Sequence, residues 1–218
     1  MKIFFNNQLK KNLANIITLI GLGLAIWLLV IAINNPEQLW LIFLLGGIVA
    51  FTDLIDGRLA KHLDIKSDFG SFLDRLRDRV FIYPALIIFT WHHRWKLTDL
   101  PPAVNTLTIA LVVGTLLMEV LLFIACCIGV IWYLEGTKID LAPNNWGRKK
   151  TFSGFTVVLI WLLSLTATKY WEFPMIKFSI YVINLGLVLM LYWAYKSLEE
   201  YSQRGKEAKR QNKSSVKN

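Results

Sequence analysis

Asp53, Asp56, Asp74 and Asp78 lie close together in a chain that is 55% hydrophobic. If the residues around them are helical, Asp53, Asp56, Gly57 and Ala60 fall at i, i+3, i+4 and i+7, one face of a helix. Gly70, Asp74 and Asp78 fall at i, i+4 and i+8, again one face. The link of residues 61–69 is short, so two such helices would lie side by side and bring four carboxylates to one seam. Glycine and alanine on that seam allow close helix approach and leave room for a ligand. Convergent carboxylates suit a hard divalent cation such as Mg²⁺, which keeps positions open for water or a substrate phosphate. Two ions could clamp a diphosphate for in-line displacement, and one carboxylate could take a proton from an attacking hydroxyl. The competing reading is a solvated charged loop in which Arg75, Arg77 and Arg79 neutralise the acids. It leaves the one-face spacing on both sides of the loop unexplained.

The elements that must position these acids are read from the apolar runs. In a 218-residue chain they point to an all-α, polytopic membrane protein. Six spanning segments are expected, at residues 13–33, 38–60, 70–91, 103–134, 152–167 and 175–195. The second and third reach full spanning length only if their Asp-bearing ends are helical, which puts those ends at one membrane face. Residues 1–12 mix Ile3, Phe4, Phe5 and Leu9 with lysines and are expected to form a short interfacial helix. Residues 13–196 form the six-helix domain, and 197–218 a polar, basic, disordered tail. The apolar run after Lys10 and Lys11 is too long for a signal-peptide core and reads as a retained helix. Trp40, Trp91, Trp95, Trp132, Trp171 and Trp193 fall near expected helix ends, as in an interfacial belt.

Most of the 24 Lys and Arg residues fall on one side of this topology, and only Arg94, Lys96, Lys169 and Lys177 on the other. By the positive-inside rule both termini and the acids face the cytoplasm, with the protein integral to the cell membrane. The net charge of +9 suits anionic headgroups, and no motif accompanies it that would imply nucleic-acid binding. Cys126 and Cys127 are adjacent in an apolar run and offer neither a disulfide framework nor zinc spacing. His92 and His93 sit with Arg94 and Trp95 on the side away from the acids and read as interfacial residues.

The stretch from Asp53 to Lys61, then eight residues, then Gly70 to Asp78, resembles the CDP-alcohol phosphatidyltransferase signature, D-x2-D-G-x2-A-R-x8-G-x3-D-x3-D. Every fixed position is met except the arginine, where Lys61 keeps the charge but not the bidentate fork. The resemblance implies integral membrane enzymes, usually homodimers, using Mg²⁺ or Mn²⁺ with two ions per site. They displace CMP from a CDP-linked donor, commonly CDP-diacylglycerol, with an alcohol. Carried over by position, Asp53, Asp56 and Asp74 look like metal ligands. Asp78 looks like the general base that also touches the second metal. Gly57, Ala60, Lys61 and Gly70 of the signature, and Ser67 between them, match positions that bind the CDP donor in the family. Asn15, Thr18 and Gly21 look like the family's N/D-x-x-T-x-x-G segment, which lines the nucleotide pocket.

The loop Gly147-Arg148-Lys149-Lys150-Thr151 resembles the G-K-x-K-T segment of the phosphatidylglycerophosphate synthase branch. A cationic cluster opening a helix would suit a phosphate on the acceptor, so Arg148, Lys150 and Thr151 are the candidate acceptor contacts and glycerol 3-phosphate the candidate acceptor. Gly154 stands where that branch usually has glutamine, and Met118-Glu119 where it often has Arg-Glu. Phosphatidylglycerol, inositol phosphate or a smaller alcohol therefore stays open as acceptor. Two readings from other classes also stay open. A divalent-cation transporter would place its acids at mid-membrane on broken helices, and an inactive lipid-binding relative is the other.

Overall fold

The computed structural model describes residues 2–62, 68–92, 100–134, 144–172 and 174–215. Within these, side-chain surroundings are described except at 2–15, 17–18, 53–62, 68–75, 133–134, 209 and 211–215. Every regular element among the described residues is an α-helix: α1 Lys2–Asn34, α2 Leu39–His62, α3 Asp68–His92, α4 Pro102–Leu134, α5 Asn145–Tyr170 and α6 Met175–Ser215. Prolines punctuate them. Pro36 lies in the α1–α2 turn, Pro102 opens α4 at the position that needs no N–H, and Pro174 precedes α6. Hydroxyls inside the apolar helices are satisfied locally, as when Thr90 donates to the Leu86 carbonyl at 2.7 Å and Thr108 to that of Val104 at 2.9 Å.

Among the described residues, three helices carry stretches long and apolar enough to cross a membrane, at Pro102–Trp132, Asn145–Tyr170 and Met175–Ala208. Shorter apolar stretches occupy Leu19–Asn34 and Leu39–Thr52. The expected separation of a short N-terminal helix from the first span has no counterpart in the backbone, because α1 runs unbroken from Lys2. The tail expected to be disordered is also helical as far as Ser215. Local pairs support it: Lys196 with Glu199 at 2.9 Å and Arg204 with Glu200 at 2.6 Å. It packs as well. A Cβ on Gly205 would come within 2.7 Å of the Trp132 ring, so the absence of a side chain there lets the ring lie on α6.

The chain divides into two compact units, Met1–Leu100 with Val158–Ile180, and Pro101–Val157 with Tyr181–Asn218. In the first, Trp161, Phe81, Phe89, Leu28, Ile42 and Leu86 form a fully buried core. The α1–α2 turn is tied to the end of α5. The Lys169 ammonium donates to the Glu37 carbonyl at 2.6 Å and pairs with its carboxylate at 2.7 Å, and the Thr166 hydroxyl lies 3.5 Å from the Leu39 carbonyl. Trp40, Trp91 and Trp171 are exposed, Trp95 lies outside the described residues, and Trp161 serves the core.

In the second unit α4 leaves Leu107, Val113, Leu117, Val120 and Phe123 exposed, an apolar surface suited to lipid. The α5 and α6 segments of this unit meet closely. Ser153 donates to the Gly186 carbonyl at 3.0 Å, and Val157 lies directly over Gly186. Such contact needs small residues at the crossing.

Candidate active site

The helical assignments turn the aspartate spacing into structure. Asp53, Asp56, Gly57, Ala60 and Lys61 all lie within α2, and Gly70, Asp74 and Asp78 within α3. Each helix is continuous through its acids, so the i, i+3 and i, i+4 spacings are true helical repeats. The side chains of Asn15, Thr18, Asp53, Asp56, Ala60, Lys61 and Asp74 lie outside the described set, and Ser67 lies outside the described residues altogether. Among the described residues there is no group of three or more potential metal ligands. The case for a divalent ion therefore rests on the donor types, carboxylates repeated about one turn apart on two successive helices, which are the ligands a hard cation takes.

Asp78 is described in full. Its side chain is mostly buried and pairs with Arg77 at 3.5 Å, and Arg77 itself has no exposed surface. A Cβ on Gly21 would stand 3.3 Å from Arg77 Cδ and 3.3 Å from Thr52 Oγ1. Gly21 of α1 thus faces both Arg77 of α3 and Thr52 of α2, the residue that precedes Asp53. Of the arginines that the sequence offers as counter-ions, Arg77 is buried and forms an ion pair with Asp78. A buried guanidinium requires such a partner, since an uncompensated charge there is strongly destabilising. Its burial, with Gly21 of α1 packed against its side chain, is something the sequence alone did not reveal. Gly21 belongs to the same N-x-x-T-x-x-G segment as Asn15 and Thr18, and in the fold this glycine makes room for Arg77.

The basic cluster lies in the second unit, where α5 begins. Asn144 is the N-cap, with its Oδ1 accepting from the Gly147 N–H at 2.7 Å. The same side chain is buried against α6, donating to the Ser197 carbonyl at 3.1 Å and accepting from the Ser197 hydroxyl at 2.9 Å. A Cβ on Gly147 would meet Asn144 Oδ1 at 3.0 Å, a close approach at the cap. Arg148 is exposed, and Lys149 lies 4.5 Å from the centre of the Trp146 ring. Lys150 is buried and forms an ion pair with Glu119 of α4. Thr151 is half-buried one residue further along.

Sequence reasoning did not single out Asn144, although Asn before a helix is a recognisable cap. It noted Glu119 only as part of a Met-Glu pair. The available signal was stronger: Glu119 is the sole charged residue of the 33-residue α4.

Residues 11–195 match the family model for CDP-alcohol phosphatidyltransferases. Similar proteins include the CDP-diacylglycerol–glycerol-3-phosphate 3-phosphatidyltransferases of Salmonella typhimurium strain LT2, 32% identical, and Escherichia coli strain K12, 31% identical. Both matches run over 117 residues, 53% of this chain and 56% of the relative. The chain thus spans about half the length of the curated relatives it matches. The family match covers most of the chain and includes both Asp-bearing helices, and the chain belongs to the CDP-alcohol phosphatidyltransferase family.

Proposed function

We propose that the protein is a membrane transferase that moves a phosphatidyl group from CDP-diacylglycerol to glycerol 3-phosphate, releasing CMP. The observation that carries this reading is the run of acids in helical repeat on α2 and α3, inside the span matched by the family model. Asp53, Asp56, Asp74 and Asp78 would hold two Mg²⁺ or Mn²⁺ ions. When bound, the ions supply charge neutralisation to the donor diphosphate and to the leaving phosphate.

The remaining work falls to side chains. Asn15, Thr18, Gly57, Ala60, Lys61, Ser67 and Gly70 bind the CDP moiety. Lys61 offers a point charge where a guanidinium fork is usual in the signature. Arg148, Lys150 and Thr151 bind the acceptor phosphate. The Asp78 carboxylate takes the acceptor hydroxyl proton. The resulting oxygen attacks the β-phosphorus of the donor, the bond from that phosphorus to the bridging oxygen breaks, and CMP leaves with the bridging oxygen. Arg77, paired with Asp78, holds that carboxylate in one orientation.

In this reading all six helices cross the bilayer. Both termini and the acids face the cytoplasm, and the enzyme is a homodimer. Residues 13–196 are the catalytic domain. The Lys and Arg asymmetry supports the orientation.

The test is CMP release by purified protein in detergent with Mg²⁺ and CDP-diacylglycerol. Glycerol 3-phosphate, phosphatidylglycerol, inositol phosphate, inositol and serine serve as acceptors, with mass spectrometry of the lipid products. Phosphatidylglycerophosphate formed only with glycerol 3-phosphate supports the reading. Product with another acceptor replaces the substrate and keeps the chemistry. No CMP from folded protein with any acceptor overturns the transferase reading and favours a cation-transport or lipid-binding role.

A further inference from the structure

Glu119 is an unusual residue for its place. It is the only charged side chain in α4, which is otherwise the most apolar helix of the protein. Its neighbours Leu117, Val120 and Leu121 are exposed, whereas the Glu119 side chain is 12% exposed and Lys150, its partner on α5, 11%. A buried ion pair gains little over well-packed apolar residues, because desolvation of both charges offsets their attraction. An ionisable group inside an apolar span is usually retained for what it binds or moves. The pair therefore needs a reason other than stability.

The position of Lys150 supplies one. Lysine is a flexible four-carbon stem ending in a compact ammonium with three donors. A carboxylate that fixes the ammonium orders the stem before any ligand arrives, which removes that cost from binding. The α5 start that carries Lys150 is itself immobilised by the Asn144 cap and its bonds to Ser197. A phosphomonoester gains from a fixed, charged ammonium, and a neutral alcohol gains nothing from it.

We propose that Glu119 is a positioning residue that holds Lys150 for the phosphate of a phosphorylated acceptor, and so selects such acceptors over neutral alcohols. This inference rests on the acceptor reading given above.

The experiment compares wild type with Glu119→Gln, Lys150→Met and the exchange E119K/K150E, in CMP release with CDP-diacylglycerol and Mg²⁺ and in thermal unfolding. Glu119→Gln keeps the shape of the side chain and removes its charge. It is expected to raise KM for glycerol 3-phosphate about tenfold while kcat and the KM for CDP-diacylglycerol stay within about twofold, the signature of lost acceptor binding alone. Inorganic phosphate should compete with the acceptor in wild type and lose potency in parallel in Glu119→Gln. The exchange should recover the thermal midpoint lost in Lys150→Met yet keep the raised KM, because the cation then sits on the wrong helix. Recovery of both midpoint and KM by the exchange would make the pair a packing device and overturn the proposal, as would an unchanged KM in Glu119→Gln. A wild-type protein that releases CMP with a neutral alcohol and not with glycerol 3-phosphate overturns the acceptor reading and this inference together.

Discussion

Gly186→Ala should destabilise the protein, and the sign of its effect should reverse when Val157 is shortened. A Cβ on Gly186 would stand 2.4 Å from Val157 Cγ2. Carbon atoms in good contact sit about 3.5–4.0 Å apart, so roughly 1 Å of relief must be found. Val157 cannot readily supply it, since a β-branched residue in a helix has one strongly preferred χ1 rotamer. Separating α5 from α6 locally would instead stretch the 3.0 Å bond from Ser153 to the Gly186 carbonyl. Overpacking of this kind costs about 1–3 kcal/mol, and a stiff opposing side chain places it near the upper end. Helix propensity works the other way, because alanine is better than glycine by about 1 kcal/mol in a helix interior. The steric term wins, leaving a net loss of about 2 kcal/mol, or about 4–8 °C in thermal midpoint for a chain of this size. Val157→Ala alone should cost about 1–2 kcal/mol through lost packing at a buried site. In that background the obstructing methyl is gone and only the propensity gain remains, so adding Gly186→Ala should raise the midpoint by a few degrees. The assay is thermal unfolding in a mild detergent, followed by tryptophan fluorescence and near-ultraviolet circular dichroism, for wild type, both single variants and the double variant. A Gly186→Ala protein that melts with wild type, or a double variant no better than the sum of the singles, would refute the close-contact argument.

Asp78→Asn removes the group assigned to take the acceptor proton, and CMP release should fall about a hundredfold or more while CDP-diacylglycerol binding remains measurable. Turnover near wild type in that variant removes Asp78 as the base. Asn144→Ala deletes the α5 cap and both bonds to Ser197, and should cost about 1–2 kcal/mol for the cap alone, read as a lower thermal midpoint. Asn144→Asp keeps an acceptor for the Gly147 N–H but cannot donate to the Ser197 carbonyl, so its midpoint should fall between the two. Equal melting of all three proteins would show that the cap does not fix the start of α5.

Legibility in the sequence followed the range of the interactions. The six helices could be placed from apolar runs, and the acid repeat from spacing, because both are properties of adjacent turns of one helix. Asp53 and Asp56, or Asp74 and Asp78, share a face whatever the rest of the fold does. The helical tail shows the opposite case. Residues 197–215 are polar and basic, which by composition suggests disorder. Yet Glu200 and Arg204 form a pair one turn apart, and Gly205 lies under a tryptophan more than seventy residues earlier in the chain, Trp132. The local pair could have been counted beforehand, whereas the Trp132 contact could not. The partners at the candidate sites divide the same way. Arg77 could be named as a possible counter-ion, but its complete burial, with Gly21 of α1 packed against its side chain, could not. Lys150 could be proposed as a phosphate contact from its basic neighbours. That it is held by Glu119, rather than free in solvent, depends on α4 meeting α5. Even so, a lone carboxylate in a 33-residue apolar helix requires a cation somewhere in the fold. The sequence therefore poses the question of Glu119 by itself, and packing is needed only to say which of the available lysines and arginines answers it.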